Sequence, residues 1–84
     1  MEEHIIARVQ ARMIRTRLRR AGLSATDLWR VNCRSGDGLG VLEIEGFLHH
    51  ALELAPCERD RLVFATNYLL GSPELPYSWE LRRL

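Results

Sequence analysis

Lysine is missing from this 84-residue chain, so all twelve of its Lys/Arg positions are arginine and every basic side chain apart from three histidines is a guanidinium suited to bidentate pairing. Only two cysteines occur, Cys33 and Cys57. That is too few for a disulfide framework, and the expectation is a reducing, intracellular setting with both thiols free. No stretch approaches the roughly 18 consecutive apolar residues of a membrane span. The start, Met1-Glu-Glu-His, is acidic and leads into an arginine-rich segment, so no signal peptide is expected. No internal repeat is present. There is also no Walker-type phosphate loop, no nucleophile–base pair and no clustered pair of carboxylates, which leaves no enzyme class with a foothold. His49 and His50 are adjacent, about 100° apart on a helix, and with the two cysteines they match no zinc-ligand spacing.

What is present is apolar content, 46% of residues, enough for one small core. The net charge of +1 is unevenly spread. Residues 1–20 hold six arginines against two glutamates, and residues 21–84 hold six against nine acids. The first of these segments reads as a helix over about Glu3–Ala21, closed by Gly22. Ile5, Ile6, Val9, Met13, Ile14 and Leu18 form its apolar stripe, and Arg8, Arg12, Arg15 and Arg19 lie on the other side. That arginine face is a solvated helix surface or a contact for an anionic partner.

A second helix is signalled by Ser24 as N-cap with Asp27 at N3, and by Leu23 and Leu28 as a hydrophobic staple. It ends near Asn32, with Leu28, Trp29 and Val31 as its packing residues and Trp29 as a core or interface anchor. A third helix is expected over about Glu43–Glu53. A fourth starts at Pro56 and stops at Gly71-Ser72-Pro73, with Leu62, Ala65, Thr66 and Leu69 facing the core and Val63, Phe64 and Leu70 thickening that face. The tail carries Tyr77 and Trp79 and room for one short helical turn after Ser78. Its aromatics should pack on the domain or on a partner.

Between the second and third helices stands the most unusual stretch, Ser35-Gly-Asp-Gly-Leu-Gly-Val-Leu-Glu-Ile-Glu-Gly-Phe-Leu48. Glycine recurs at 36, 38 and 40, and an alternating run, Val41-Leu42-Glu43-Ile44, follows. The glycines predict an ordered tight turn with Gly40 constrained, and Val41–Glu43 reads as extended backbone.

With Gly40 as the central glycine, the half Gly40–Leu48 resembles the Gly-x-Leu-Glu-x-x-Glu-Phe-Leu run of EF-hand calcium loops, and the likeness extends over about residues 24–54. The resemblance implies a helix–loop–helix pair, with Ser35, Asp37, the Val41 carbonyl and Glu43 as oxygen ligands. Leu39 stands where a fifth-position oxygen belongs, and Gly46 where the bidentate glutamate belongs. Calcium, the one cofactor the resemblance suggests, is therefore expected to bind weakly or not at all. A rival likeness is to helix-turn-helix regulators, through Ala21-Gly22-Leu23-Ser24 before Asp27-Leu28. The recognition helix would have to fit in the nine residues between Asn32 and Leu42, three of them glycine.

The resulting expectation is an all-α, four-helix domain containing an EF-hand-like helix pair. It would act as a non-catalytic protein-interaction module, a homo-oligomer or a small subunit of a larger complex. Contacts would run through Arg8, Arg12, Arg15, Arg19, Trp29, Tyr77 and Trp79. The alternative is nucleic-acid binding by the arginine-rich first helix.

Overall fold

The computed structural model describes residues 1–36 and 38–84. Its helices are α1 (Glu3–Arg20), α2 (Ala25–Asn32), α3 (Val41–Leu48), α4 (Pro56–Leu70) and α5 (Ser78–Arg82), with a short 3-10 turn at Cys33–Ser35. Among the described residues there is no strand, as the all-α reading expects, and the short tail helix makes five helices rather than four.

One local device starts four of them. An acidic side chain at N3 reaches back to the backbone N–H of the N-cap residue, satisfying one donor the helix cannot pair. Asp27 accepts from Ser24 N at 2.8 Å, Glu43 from Gly40 N, Glu58 from Ala55 N and Glu80 from Tyr77 N, each of the last three at 2.9 Å. Only at Ser24 does the N-cap hydroxyl also accept from the N3 amide, completing the box expected from the sequence.

The same device corrects two expectations about the glycine stretch. Glu43 sits in the first turn of α3, so the helix begins at Val41, and Val41–Glu43 is helical rather than extended. Gly40 is its N-cap, with φ −91° and ψ 172°, a conformation open to any residue. The left-handed positions are Gly36 and Gly38, with φ of 74° and 77°.

Helix α3 ends earlier than its apolar pattern suggests, at Leu48 rather than Glu53. His50 takes φ 62°, His50 N donates to Phe47 O at 3.1 Å, and Ala51 N donates to Gly46 O at 2.7 Å. This is a Schellman closure with histidine where glycine is usual. It folds the chain back over Gly46, where an added Cβ would stand 3.2 Å from Leu52 Cβ. A side chain at 46 would require Leu52 to shift by a few tenths of an ångström.

The core gathers Ala11, Ile14 and Leu18 from α1, Leu28 from α2, Leu39 from the loop, Ile44, Phe47 and Leu48 from α3, and Leu62 and Val63 from α4. Helix α2 packs on α3 and α4, and α1 packs on α3, α4 and α5. Of the expected α1 stripe, Ile6, Ile14 and Leu18 are buried and Ile5 is exposed, while Gln10 takes a fully buried place.

Gln10 is buried because it belongs to a polar network that ties both ends of the chain to α4. Arg59, 3% exposed, donates through Nε to Gln10 Oε1 at 2.9 Å, through a terminal nitrogen to Leu54 O at 2.8 Å, and to Glu3. Gln10 Nε2 donates to Asp60 Oδ1 at 3.1 Å. The Asp60 carboxylate accepts in turn from Ser78 N at 2.7 Å and Ser78 Oγ at 2.5 Å, fixing the start of α5. Arg82 on α5 returns to Glu3, with Nε at 2.9 Å from Oε2. Asn67 holds the preceding segment through both its amide groups, accepting from Leu75 N at 3.1 Å and donating to Leu75 O at 3.2 Å. The tail is part of the domain.

Candidate protein-binding surface

Helix α4 has apolar residues at four successive positions, Leu62-Val63-Phe64-Ala65. At 100° per residue they span most of the helix circumference, so one of them must turn from the core. The core takes Leu62, Val63 and Ala65, and the residue turned out is Phe64, 62% exposed. This corrects its expected place on the packed face. One turn later Tyr68 is 64% exposed. The two rings share one face of α4 and flank a groove of about 360 Å³ between α4 and the end of α2.

Val31, Ala65, Phe64 and Tyr68 line the groove, and Arg34 and Arg61 are the charged residues among its described lining. Both arginines are exposed. Asn32 and Ser35 complete the lining, and none of its described residues is acidic. The left-handed Gly36 follows directly and turns the chain away after Ser35. Sequence reading placed Phe64 inside, yet the surplus on α4 was readable, because an amphipathic helix needs only one apolar stripe.

The residues expected to contact partners are scattered. Arg8, Arg12 and Arg19 are exposed on α1. Arg15 is not available with them: its guanidinium donates to Leu48 O at 2.5 Å, capping the C-terminus of α3. Trp29 and Tyr77 are half-buried and pack against the core. Trp79 is 49% exposed, and one of its ring faces is taken by Tyr77, stacked at 4.4 Å with 4° between the planes. Among the described residues of this set and of the expected loop ligands, only Ser35 lines the α2–α4 groove.

The expected calcium ligands are Ser35, Asp37, the Val41 carbonyl and Glu43. Asp37 lies outside the described residues. Glu43 has one oxygen committed to Gly40 N. Val41 is the first residue of α3, where its carbonyl serves the helix ladder. Among the described residues no three His, Cys, Asp or Glu side chains come together as a metal site.

A larger groove, about 590 Å³, lies between the start of α1 and the chain after α3. Arg8, His50, Glu53, Glu3 and Arg59 are among its lining residues, a mixture of signs in which Glu3 and Arg59 already pair. The carboxyl of Glu3 is held below its usual range, chiefly by the hydrogen bond from Arg82 and further by Arg59. His50 is pushed below the usual imidazole range, first by desolvation and then by Arg8, Arg15, His49 and Arg12. Glu3, Arg59 and Arg82 tie α1 to α4 and α5, whereas Phe64 and Tyr68 stand mostly exposed beside the α2–α4 groove.

No helix among the described residues is long and apolar enough to cross a membrane. No family model, curated protein or solved structure matches this chain.

Proposed function

We propose that the protein is a non-catalytic interaction module, a small subunit whose docking face is the α2–α4 groove. The observation that carries this reading is the pair Phe64 and Tyr68, one turn apart and each more than three-fifths exposed, beside two arginines. Aromatic residues and arginine are the types that dominate binding energy at interfaces, and leaving two large rings in water has a hydrophobic cost that a partner removes. The buried polar residues support the same reading from the other side. Gln10, Arg59 and Ser78, with the half-buried Asp60, hydrogen-bond in a chain that holds the helices in place, which is a scaffold's use of such groups.

In this reading α2 and α3 form an EF-hand-like pair that serves as scaffold, with calcium binding weak or lost. The engagement of Glu43 with the α3 N-terminus supports that assignment. The arginines of α1 become a secondary, solvated face.

The test is site-specific photo-crosslinking in the cells that make the protein. A benzophenone amino acid at position 64 should give discrete protein adducts that Tyr68→Ser removes. The same probe at Arg19 should give none of them. Adducts at 19 without adducts at 64 would move the docking face to α1 and refute this assignment.

A further inference from the structure

We infer that the occupant of the α2–α4 groove is an acidic amphipathic helix from a partner protein, an inference that rests on the docking face proposed above. Two features of the groove select this chemistry. The first is shape. Described residues form no strand, so there is no sheet edge to extend, and the groove lies between two helices, the setting in which an added helix seats its apolar side. Arg61, Phe64 and Tyr68 stand at i, i+3 and i+7 on α4, a span of about 10 Å at 1.5 Å per residue. That is two turns, so a helix laid along it meets the groove through apolar residues at its own i, i+3 or i+4, and i+7. The volume of about 360 Å³ is at the small end for a binding cavity, suited to a few side chains rather than a whole cofactor.

The second feature is charge. Among the described lining residues the only charged ones are Arg34 and Arg61. Neither has an ion pair with a described acidic side chain within 4 Å, a state they share with most arginines of the chain, and what sets them apart is their place beside the two exposed rings. A carboxylate beside the partner's apolar stripe gives each guanidinium a bidentate acceptor. The same charges disfavour a second copy of this chain seated groove to groove, since a two-fold contact sets the same cationic patch on both sides. A nucleic-acid strand is attracted by the same charges, but two arginines supply only about two phosphate contacts, too few to hold it by electrostatics at physiological salt.

The experiment uses the full chain and two designed helical peptides. Both carry leucine at i, i+4 and i+7. One has glutamates flanking the stripe and the other has lysines at the same places. Binding is read by fluorescence anisotropy at low salt, and the contacted residues by amide chemical-shift changes. The glutamate peptide is expected to bind at least tenfold more tightly than its lysine counterpart, with shifts at residues 31, 34, 61, 64 and 68. Phe64→Ala with Tyr68→Ala should remove binding of both peptides. Arg34→Glu with Arg61→Glu should reverse the order of the two, and this gain for the lysine peptide also shows that the variant is folded.

Equal affinities, a preference for lysine, or no binding of either peptide would overturn the inference. So would a single-stranded oligonucleotide that displaces the acidic peptide, or self-association of the chain that Phe64→Ala with Tyr68→Ala abolishes. Crosslinks at position 64 together with a lysine preference would leave the docking face standing and sink only the acidic partner. Absence of both crosslinks and peptide binding would sink the two together.

Discussion

Replacing Arg59 with methionine should be among the most damaging single changes available to this fold. The guanidinium is 3% exposed and donates to Gln10 Oε1 at 2.9 Å and Leu54 O at 2.8 Å. Methionine keeps much of the apolar stem and none of the donors. Hydrogen bonds from a charged group contribute about 1.5–3 kcal/mol each, and here both acceptors are left buried without that partner. The two together give a loss of about 3–5 kcal/mol, the range seen when one member of a buried charged network is removed. The contact to Glu3 is left out of this figure, because that carboxylate is reached by water and stays paired with Arg82. A domain of this size has a total stability of about 4–13 kcal/mol. The midpoint of thermal unfolding should therefore fall by about 15 °C or more. The assay is urea and thermal denaturation followed by circular dichroism, on Arg59→Met, Gln10→Met and the double variant. The double should cost less than the sum of the singles, since Gln10 Oε1 is no longer there to be orphaned. A loss below about 1 kcal/mol for Arg59→Met, or strict additivity, would show that the network does not hold α1 to α4.

Four further outcomes are expected. Because His50 is the left-handed closure of α3, His50→Gly should stabilise by about 0.5–1 kcal/mol and His50→Val should destabilise by more than that, read as urea midpoints. Arg15→Ala should cost about 1–2 kcal/mol by losing its bond to Leu48 O, whereas Arg19→Ala on the same helix should stay within about 0.5 kcal/mol. Stability should fall on acidification in two stages: the depressed His50 means the unfolded chain takes up a proton first as pH drops below about 6.5, and the depressed carboxyls of Glu3 and Asp27 add their losses below about 4.5, so that a His50→Gln variant loses the first stage only; a stability rising toward pH 5 would contradict the sign. Calcium at about 1 mM should raise the unfolding free energy by less than about 0.4 kcal/mol, the limit for a dissociation constant weaker than millimolar, and a larger shift in calorimetry would mean that the loop does assemble a site.

Much of the helical layout could be read along the chain because its signals are local. Ser24 with Asp27, Pro56 with Glu58, and Gly71 after Leu70 mark helix ends through backbone groups that only neighbouring residues can satisfy. Part of the buried side of α1, Ile6, Ile14 and Leu18, followed from 3.6-residue periodicity. Misreadings arose where two local rules competed. The alternating Val41-Leu42-Glu43-Ile44 suggested extended backbone, but Glu43 at N3 closes on Gly40 N and the helix prevails.

The rest was decided by tertiary structure. Nothing in the residue type tells that Gln10 is buried while Ile5 is exposed; that depends on Arg59 and Asp60 arriving from about fifty positions away. Arg15 became a helix cap only because the end of α3 is packed beside α1. The aromatic groove has the same origin. Four successive apolar residues on α4 cannot all face one side, but which ring is left outside is set by where α2 and α1 pack on it. Local hydrogen-bonding rules act within a few residues and determine the elements. Which side of each element meets solvent is a property of the whole packing, and on that the candidate surface of Phe64 and Tyr68 depends.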